Sequence, residues 1–382
     1  MFLYIWCYYF LKKCYLKELA QLTESKIGLL PKEKVTIVAF YAVIAVIITI
    51  GLIASTLVGQ SYVVLAGLGL LAFVLGLQHG VDADHIAAID NTTRKLLQEG
   101  KRPLTVGMWF SLGHSTLVVA LIAAFIVATK EVSGAIPLFQ TMGSVVSSLV
   151  SGTFLFIIGL TNVIIVRDVY RIFRGLKQGK LTQAELDDEL NKKGFMNKRL
   201  GKLFKIVQAP WQMYAVGLLF GLGFETASQA DLIALGVGLG VTSDVPVWMI
   251  LIVPLMFTAG MVLVDTSDGI SMRLAYGWAF LKPMRKIFYN LTLTIISVLV
   301  AFLVGGIELT QVLSVELGLT GGFWTLLRNL DFEYLGFGIV GIFLTSWLVA
   351  MAYYRYKGFD KNTVLKTDNI ISDSTVTFNK KA

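Results

Sequence analysis

Long apolar stretches alternate with short polar segments along the chain, and this pattern predicts an all-α protein that crosses a membrane several times. A helix needs about 20 apolar residues to span a bilayer. Eight stretches reach that length, at about 35–58, 62–90, 105–129, 144–166, 211–241, 247–266, 286–307 and 335–354. The second and fifth are about 30 residues long and contain polar clusters, which is typical of broken or re-entrant helices.

The composition supports a membrane protein and argues against a soluble one. Of 382 residues, 55% are apolar and only 15% are charged, whereas about a quarter of the residues in a soluble domain are charged. The predicted partner of this apolar surface is therefore the lipid bilayer. The formal charge of +8 favours basic cytoplasmic loops over nucleic-acid binding. The two cysteines, Cys7 and Cys14, exclude a thiolate-rich metal centre.

Lysine and arginine residues predict how the chain is oriented. They concentrate before the first stretch and after the second, fourth and sixth, while the alternate loops carry only Lys130 and Arg328. Because basic loops stay in the cytoplasm, we expect a protein of the cytoplasmic membrane with both termini cytoplasmic. The predicted organisation is a cytoplasmic segment 1–34, spans one to four within 35–166, a basic cytoplasmic loop 167–210, spans five to eight within 211–358 and a cytoplasmic tail 359–382.

Two segments resemble each other and predict an internal repeat. LGLQHGVDADHIAA from Leu75 and LGFETASQADLIAL from Leu222 are identical at six of 14 positions, at an offset of 147 residues. The same offset pairs 110–113 with 257–260. Spans two to four would then match spans five to seven, and because three is odd, the two copies would face opposite ways. Inverted repeats with interrupted helices are typical of secondary transporters, whose site lies between the copies.

All three histidines of the chain fall in spans two and three, with polar neighbours: His79, His85 and His114, beside Asp82, Asp84, Asp90 and Asn91. An ionisable residue inside a span costs roughly 2.5–3.5 kcal/mol on insertion, so such a cluster indicates function. Imidazole suits Zn, Cu, Fe and Ni, which predicts a site for a divalent transition-metal ion. The alternative is that these groups only hydrogen-bond neighbouring helices to one another.

Helix geometry leaves two possibilities for Asp84. At about 100° per residue, a straight helix places Asp84 on the opposite side from His79 and His85. Either the helix is deformed around Gly80, or Asp84 does not bind the metal itself but contacts a histidine ligand and orients it.

A second polar group occurs in the other half of the chain. Glu225 lies in span five, where the repeat aligns it with Gln78, and Asp265 and Asp268 lie in span six. Glu225 and Asp265 are therefore further candidate metal ligands. The alternatives are helix packing through small polar residues and capping of the end of span six by Asp265 and Asp268.

These motifs resemble those of the nickel/cobalt transporter family. The family signature in the second span, a histidine followed after four residues by Asp-His, is matched by HGVDADHIAAIDNTTR from His79. FSLGHST, LGFETAS and GMVLVDTSDGISMRLAYGWAF follow in the family's order from Phe110 onward. The resemblance implies eight spans, no ATPase subunit and no cofactor, with Ni²⁺ or Co²⁺ as the transported substrate. It maps the family's essential second-span residues onto His79, Asp84 and His85.

The sequence departs from the family pattern near the site. Gln78 stands where Arg is usual, and Glu225 and Gln229 stand where the fifth-span motif has Asp and Glu. These changes bear on metal preference. The predicted function is uptake of Ni²⁺, with Co²⁺ as a second substrate. The alternatives are efflux of the same ions and an intramembrane metal-dependent enzyme, which would need an activated water and a general base.

Overall fold

The computed structural model describes residues 30–59, 63–132, 136–177, 207–222, 232, 246–279 and 283–356. Within these ranges the chain forms helices and no strand, as the sequence predicts. The N-terminal segment to residue 29, most of the basic loop, the part of the fifth span that contains Glu225 and the C-terminal tail lie outside the described residues.

The helices of the described part are labelled in chain order. They are α1 Pro31–Gly59, α2 Val63–His79, α3 Ala83–Gln98, α4 Val106–Val132, α5 Ile136–Lys177, α6 Met213–Phe220, α7 Val247–Ile250, α8 Ile252–Ala279, α9 Pro283–Glu316, α10 Gly322–Arg328 and α11 Phe332–Tyr356. A single 3₁₀ turn, Pro210–Gln212, leads into α6.

Five of these helices contain segments long and apolar enough to cross a bilayer, among the residues described: Pro31–Leu57, Val106–Ala124, Met142–Arg171, Leu291–Glu316 and Phe332–Ala350. They coincide with predicted spans one, three, four, seven and eight. The second predicted span is divided between α2 and α3, and the sixth between α7 and α8. The helical membrane architecture is confirmed, while the count of eight spans stays a prediction.

The outward surface of the bundle is apolar, as a lipid-facing surface must be. Helix α1 alone exposes a long row of aliphatic side chains, among them Val35, Val38, Val43, Val46, Ile50, Ile53 and Leu57. Exposed apolar surface of this extent is foreign to a soluble monomer. Lipid contact therefore explains the apolar composition better than a large interior core does.

The second predicted span breaks between α2 and α3. The chain leaves α2 through a tight turn, in which the N–H groups of Val81 and Asp82 donate to the carbonyls of Gln78 and His79 at 3.0 and 2.9 Å. Asp82 adopts an extended conformation, and its carboxylate accepts a hydrogen bond from the Ala83 N–H at 3.0 Å. This capping interaction marks the start of α3. The prediction of a broken helix is confirmed for this span.

Packing between the two halves is reciprocal. Helix α2 packs along α8, and α6 packs along α4. The offset of 147 residues aligns α2 with α6 and α4 with α8, so the two helix pairs are equivalent in the predicted repeat. A Cβ atom on Gly113 would overlap the carbonyl oxygen of Tyr214, and one on Gly260 would overlap that of Phe73. Gly113 and Gly260 are equivalent positions of the repeat. These matched close approaches support the predicted repeat, while the opposite orientation of its copies in the membrane stays a prediction.

Candidate metal centre

Three helices bring the three histidines together. His79 is the last residue of α2, His85 lies in the first turn of α3, and His114 lies in the third turn of α4. All three are buried, with exposed fractions of 2%, 0% and 2%. His79 and His85 lie on either side of the turn between α2 and α3. We call this group the three-histidine cluster.

The three imidazoles lie within mutual reach of one small ion. One nitrogen from each ring can be chosen so that all three lie within 4.8 Å of one another. The ring centroids are 4.7 Å apart for His79 and His85, 5.0 Å for His79 and His114, and 4.8 Å for His85 and His114. A hydrogen bond of 3.1 Å joins the Nε2 atoms of His79 and His114. The arrangement suits a divalent transition-metal ion, which imidazole nitrogen prefers over the oxygen-seeking Mg²⁺ or Ca²⁺.

A carboxylate lies behind each of two imidazoles. The Nδ1 atom of His79 is 3.5 Å from a carboxylate oxygen of Asp82. The Nδ1 atom of His85 is 3.4 and 3.3 Å from the two carboxylate oxygens of Asp265. A carboxylate on one ring nitrogen fixes the tautomer and makes the other nitrogen a better metal ligand. Asp82 and Asp265 are thus placed to orient His79 and His85.

Two phenyl rings enclose the cluster. The Phe110 ring lies edge-on to His85 with centroids 4.8 Å apart, and the Phe257 ring lies 5.4 Å from that of His79. Both phenylalanines are fully buried and are equivalent positions of the repeat. The cluster therefore lies between the segments that the predicted repeat aligns, as expected for a transport site between repeats.

The roles of Asp84 and Glu225 as metal ligands stay predictions. The Asp84 carboxylate accepts a hydrogen bond of 2.8 Å from the backbone N–H of its neighbour His85. The helix is broken at Gly80, which is one of the two possibilities that helix geometry left open for Asp84. Glu225 lies outside the described residues.

Asn91 lies in a separate polar network further along α3. Its side-chain oxygen accepts a hydrogen bond of 2.6 Å from Asn162 on α5. Its amide also donates to the backbone carbonyl of Ser297 on α9 at 3.5 Å, and the Ser297 hydroxyl donates to Asp90 at 2.5 Å and accepts from Arg94 at 2.6 Å. These side chains are all buried and connect α3 to α5 and α9. The structure thus places Asn91 apart from the three-histidine cluster.

The carboxylates of span six do not cap a helix end. Helix α8 continues to Ala279, well beyond Asp265 and Asp268, and both are buried. The capping alternative is therefore wrong, and the observed role of Asp265 is its contact with His85.

Sequence reasoning did not find two features around the cluster. The enclosing phenyl rings could have been inferred, because the repeat aligns Phe110 with Phe257. The contact of Gln78 with Glu333, whose carboxylate accepts a hydrogen bond from the Gln78 amide, had no signal in the pattern. Glu333 lies just before the predicted eighth span and appears there as an ordinary loop residue.

Together, the fold and the site define a multi-pass membrane protein whose interior holds a histidine cluster suited to a divalent transition-metal ion. The model of the NicO family, described as high-affinity nickel-transport protein, matches residues 65–353. The chain belongs to this family.

Characterised relatives cover most of the chain. It is 42% identical over 325 residues to the nickel transporter NixA of Staphylococcus aureus, which covers 85% of this chain and 96% of the relative. It is 43% identical over 308 residues to the high-affinity nickel transport protein of Cupriavidus necator, covering 80% and 88%. The cobalt transport protein NhlF of Rhodococcus rhodochrous is 35% identical over 304 residues, covering 77% and 84%. No solved structure matches the chain.

Proposed function

We propose that this chain takes up Ni²⁺ across the cytoplasmic membrane and that the ion binds the three-histidine cluster on its way. The observation that carries the proposal is the convergence of His79, His85 and His114 beside the break of the second span. Burial of three imidazoles and two carboxylates in a membrane-spanning bundle is costly. A cation that binds these groups gives a physical reason for them.

The chemistry of the cluster suits a borderline transition metal. The proposed ligands are the imidazole nitrogens of His79, His85 and His114, with the carboxylates of Asp82 and Asp265 behind two of them. Affinity for such nitrogen ligands rises from Co²⁺ to Ni²⁺. We therefore expect Ni²⁺ to be preferred, with Co²⁺ as a weaker substrate. The relatives support this order, since those reported above are two nickel transporters and one cobalt transport protein.

Uptake needs no ATP motor. A divalent cation that enters a cell with an inside-negative potential of about 100 mV moves down the electrical gradient and gains roughly 4–5 kcal/mol. Alternating access around a fixed site between two repeats would expose the cluster first to one side and then to the other. The ion must also leave, so its ligands must exchange during the cycle.

The two alternative functions are an intramembrane metal-dependent enzyme and efflux of the same ions. The family is one of transport proteins, which leaves an intramembrane enzyme without support. Efflux uses the same kind of site, and it is distinguished by direction: cells that make an exporter lose preloaded ⁶³Ni faster, whereas cells that make an importer gain ⁶³Ni from the medium.

The test is ⁶³Ni accumulation by cells that make the wild-type chain, His79→Ala or His85→Ala. Each variant removes one proposed ligand, and alanine should ease rather than impair insertion of the helix. We expect both variants to lose uptake while their amounts in the membrane match the wild type.

The matched control is Thr116→Ala, because Thr116 lies two residues from His114 but is exposed on α4. It should retain uptake. Near-normal uptake by either histidine variant would remove that residue from the site. A lower KM for Co²⁺ than for Ni²⁺ would overturn the proposed preference.

A further inference from the structure

Glu333 is a buried carboxylate next to the break of the second span. It lies in the first turn of α11 and is only 1% exposed. The next turn of α11 is pressed against the break, because a Cβ atom on Gly336 would overlap the carbonyl oxygen of Val81. The start of α11 therefore lies beside the residues that carry His79.

Only one of the two Glu333 oxygens is used within the protein. Its Oε2 atom accepts a hydrogen bond from the Gln78 side chain, and Gln78 directly precedes His79. Its Oε1 atom is buried and has no hydrogen-bond partner among the described residues. The carboxylate thus presents one oxygen that the described protein groups do not satisfy.

The surroundings supply no cation to Glu333 in the described part of the chain. Its hydrogen-bond partner Gln78 is neutral, and its near neighbour Asp331 is acidic and accepts the Glu333 backbone N–H at 2.9 Å. An ionised carboxylate that is buried without a partner is costly. A cation that arrives at this place would remove that cost.

We propose that Glu333 and Gln78 form a second, oxygen-based position for the divalent cation, beside the three-histidine cluster. The open carboxylate oxygen and the amide oxygen of Gln78 are ligands of the kind that bind a partly hydrated divalent ion. Such oxygen ligands hold Ni²⁺ more loosely than imidazole does. The position suits an ion that enters or leaves the cluster and must not be trapped. This inference rests on the proposed function.

The opposing explanation is that Glu333 only braces α11 against α2 through its hydrogen bond. The variant Gln78→Arg separates the two. A guanidinium at this position keeps a hydrogen bond to the carboxylate but neutralises its charge and repels a cation. A brace would survive this change, and a cation position would not.

The experiment is ⁶³Ni uptake by cells that make Glu333→Gln, Gln78→Arg or the control Glu308→Gln. Glu308 is also a 1% exposed carboxylate, and it accepts a hydrogen bond of 2.5 Å from Ser151, on α5. The KM for Ni²⁺ should rise roughly tenfold in both test variants, the lower end of the effect of removing a group that supports a metal site. The control should keep the wild-type KM. Equilibrium ⁶³Ni binding to the purified chain in lipid nanodiscs should persist in both test variants, because the histidines remain.

The outcomes separate the two proposals. If the wild type accumulates ⁶³Ni and both test variants keep its KM, the second position is overturned and the proposed function stands. If Gln78→Arg alone keeps the wild-type KM, Glu333 is a brace and the inference fails. If Glu333→Gln is absent from the membrane, Gln78→Arg decides. If the wild type itself accumulates no ⁶³Ni, both proposals fail.

Discussion

Asp82 and Asp265 act at the scale of single residues by fixing two of the three imidazoles. Each places a carboxylate oxygen at the Nδ1 atom of one histidine, at 3.5 Å for His79 and 3.3 Å for His85. A carboxylate on Nδ1 makes the nitrogen on the far side of each ring a better metal ligand. Asp82 also caps α3, so its substitution would change both the helix start and the site. Asp265 lies within α8 and not at a helix end, so its substitution leaves the helix starts unchanged and is the cleaner test.

We expect Asp265→Asn to weaken Ni²⁺ uptake without removing the protein from the membrane. An amide is neutral and no longer favours the required tautomer of His85, so the apparent affinity should fall by roughly 10–100-fold. The maximal rate should fall less, because saturating metal restores occupancy. Kinetics of ⁶³Ni uptake over a wide range of Ni²⁺ concentrations would measure both quantities.

The control for this variant is Asp168→Asn. Asp168 on α5 forms a 3.6 Å ion pair with the exposed Arg171, and pairs of that kind contribute little. An unchanged KM in Asp265→Asn would mean that the contact with His85 does not serve metal binding.

The sequence predicted the members of the cluster but not how they meet. The three histidines stand out because ionisable residues are rare inside spans. They meet at the turn formed by residues 80–82, and for Asp84 helix geometry left two possibilities. The pairing of Asp265 with His85 joins residues 180 positions apart. No local pattern specifies such a contact, because it follows from the packing of α8 against α3.

At the scale of helices, glycines set the spacing at which the repeats meet. A Cβ atom on Gly76 of α2 would overlap the carbonyl oxygen of Phe257 on α8. A Cβ atom on Gly217 of α6 would overlap the carbonyl oxygen of Phe110 in the same way, and the predicted repeat aligns Phe110 with Phe257. Small residues let membrane helices approach in this way. The phenyl rings on these same residues enclose the cluster, so helix spacing and site geometry are coupled.

Substitution Gly76→Ala should therefore destabilise the protein. The added methyl group must push α2 and α8 apart, and overpacking of this kind costs about 1–3 kcal/mol. Its matched control is Gly67→Ala on the same helix, where a Cβ atom would meet nothing within 4 Å. Thermal unfolding of the purified variants in detergent would show the difference. Equal midpoints for the two variants would contradict the close approach.

The sequence predicted most helices because apolar length is a strong signal. It did not predict that α5 continues to Lys177, beyond the predicted end of span four, or that α10 forms at Gly322–Arg328 between the last two spans. The end of α5 is rich in charged residues, whereas α10 is an apolar segment of seven residues, too short to be predicted as a span. Such segments form helices or loops according to local capping and packing, which the hydropathy pattern does not contain.

At the scale of the whole molecule, the direction of transport depends on how the bundle sits in the membrane. Spans two to four and five to seven can present a central site alternately to the two sides only if the copies are oppositely oriented. The orientation itself is predicted by the distribution of basic residues. If both termini are cytoplasmic, the segment around Lys101 faces the cytoplasm and the turn around Thr320 faces the outside.

Cysteine labelling tests this orientation directly. In a background in which Cys7 and Cys14, the two cysteines of the chain, are replaced by alanine, we would introduce Lys101→Cys and Thr320→Cys separately. The Lys101 side chain is 39% exposed, and Thr320 is exposed in the turn after α9. Loss of the exposed ion pair of Lys101 with Glu99 should cost little. A maleimide that cannot cross the membrane should label position 320 in intact cells and position 101 only after permeabilisation. The reverse pattern would place both termini outside, and the basic loops would then have to be explained by something other than the positive-inside rule.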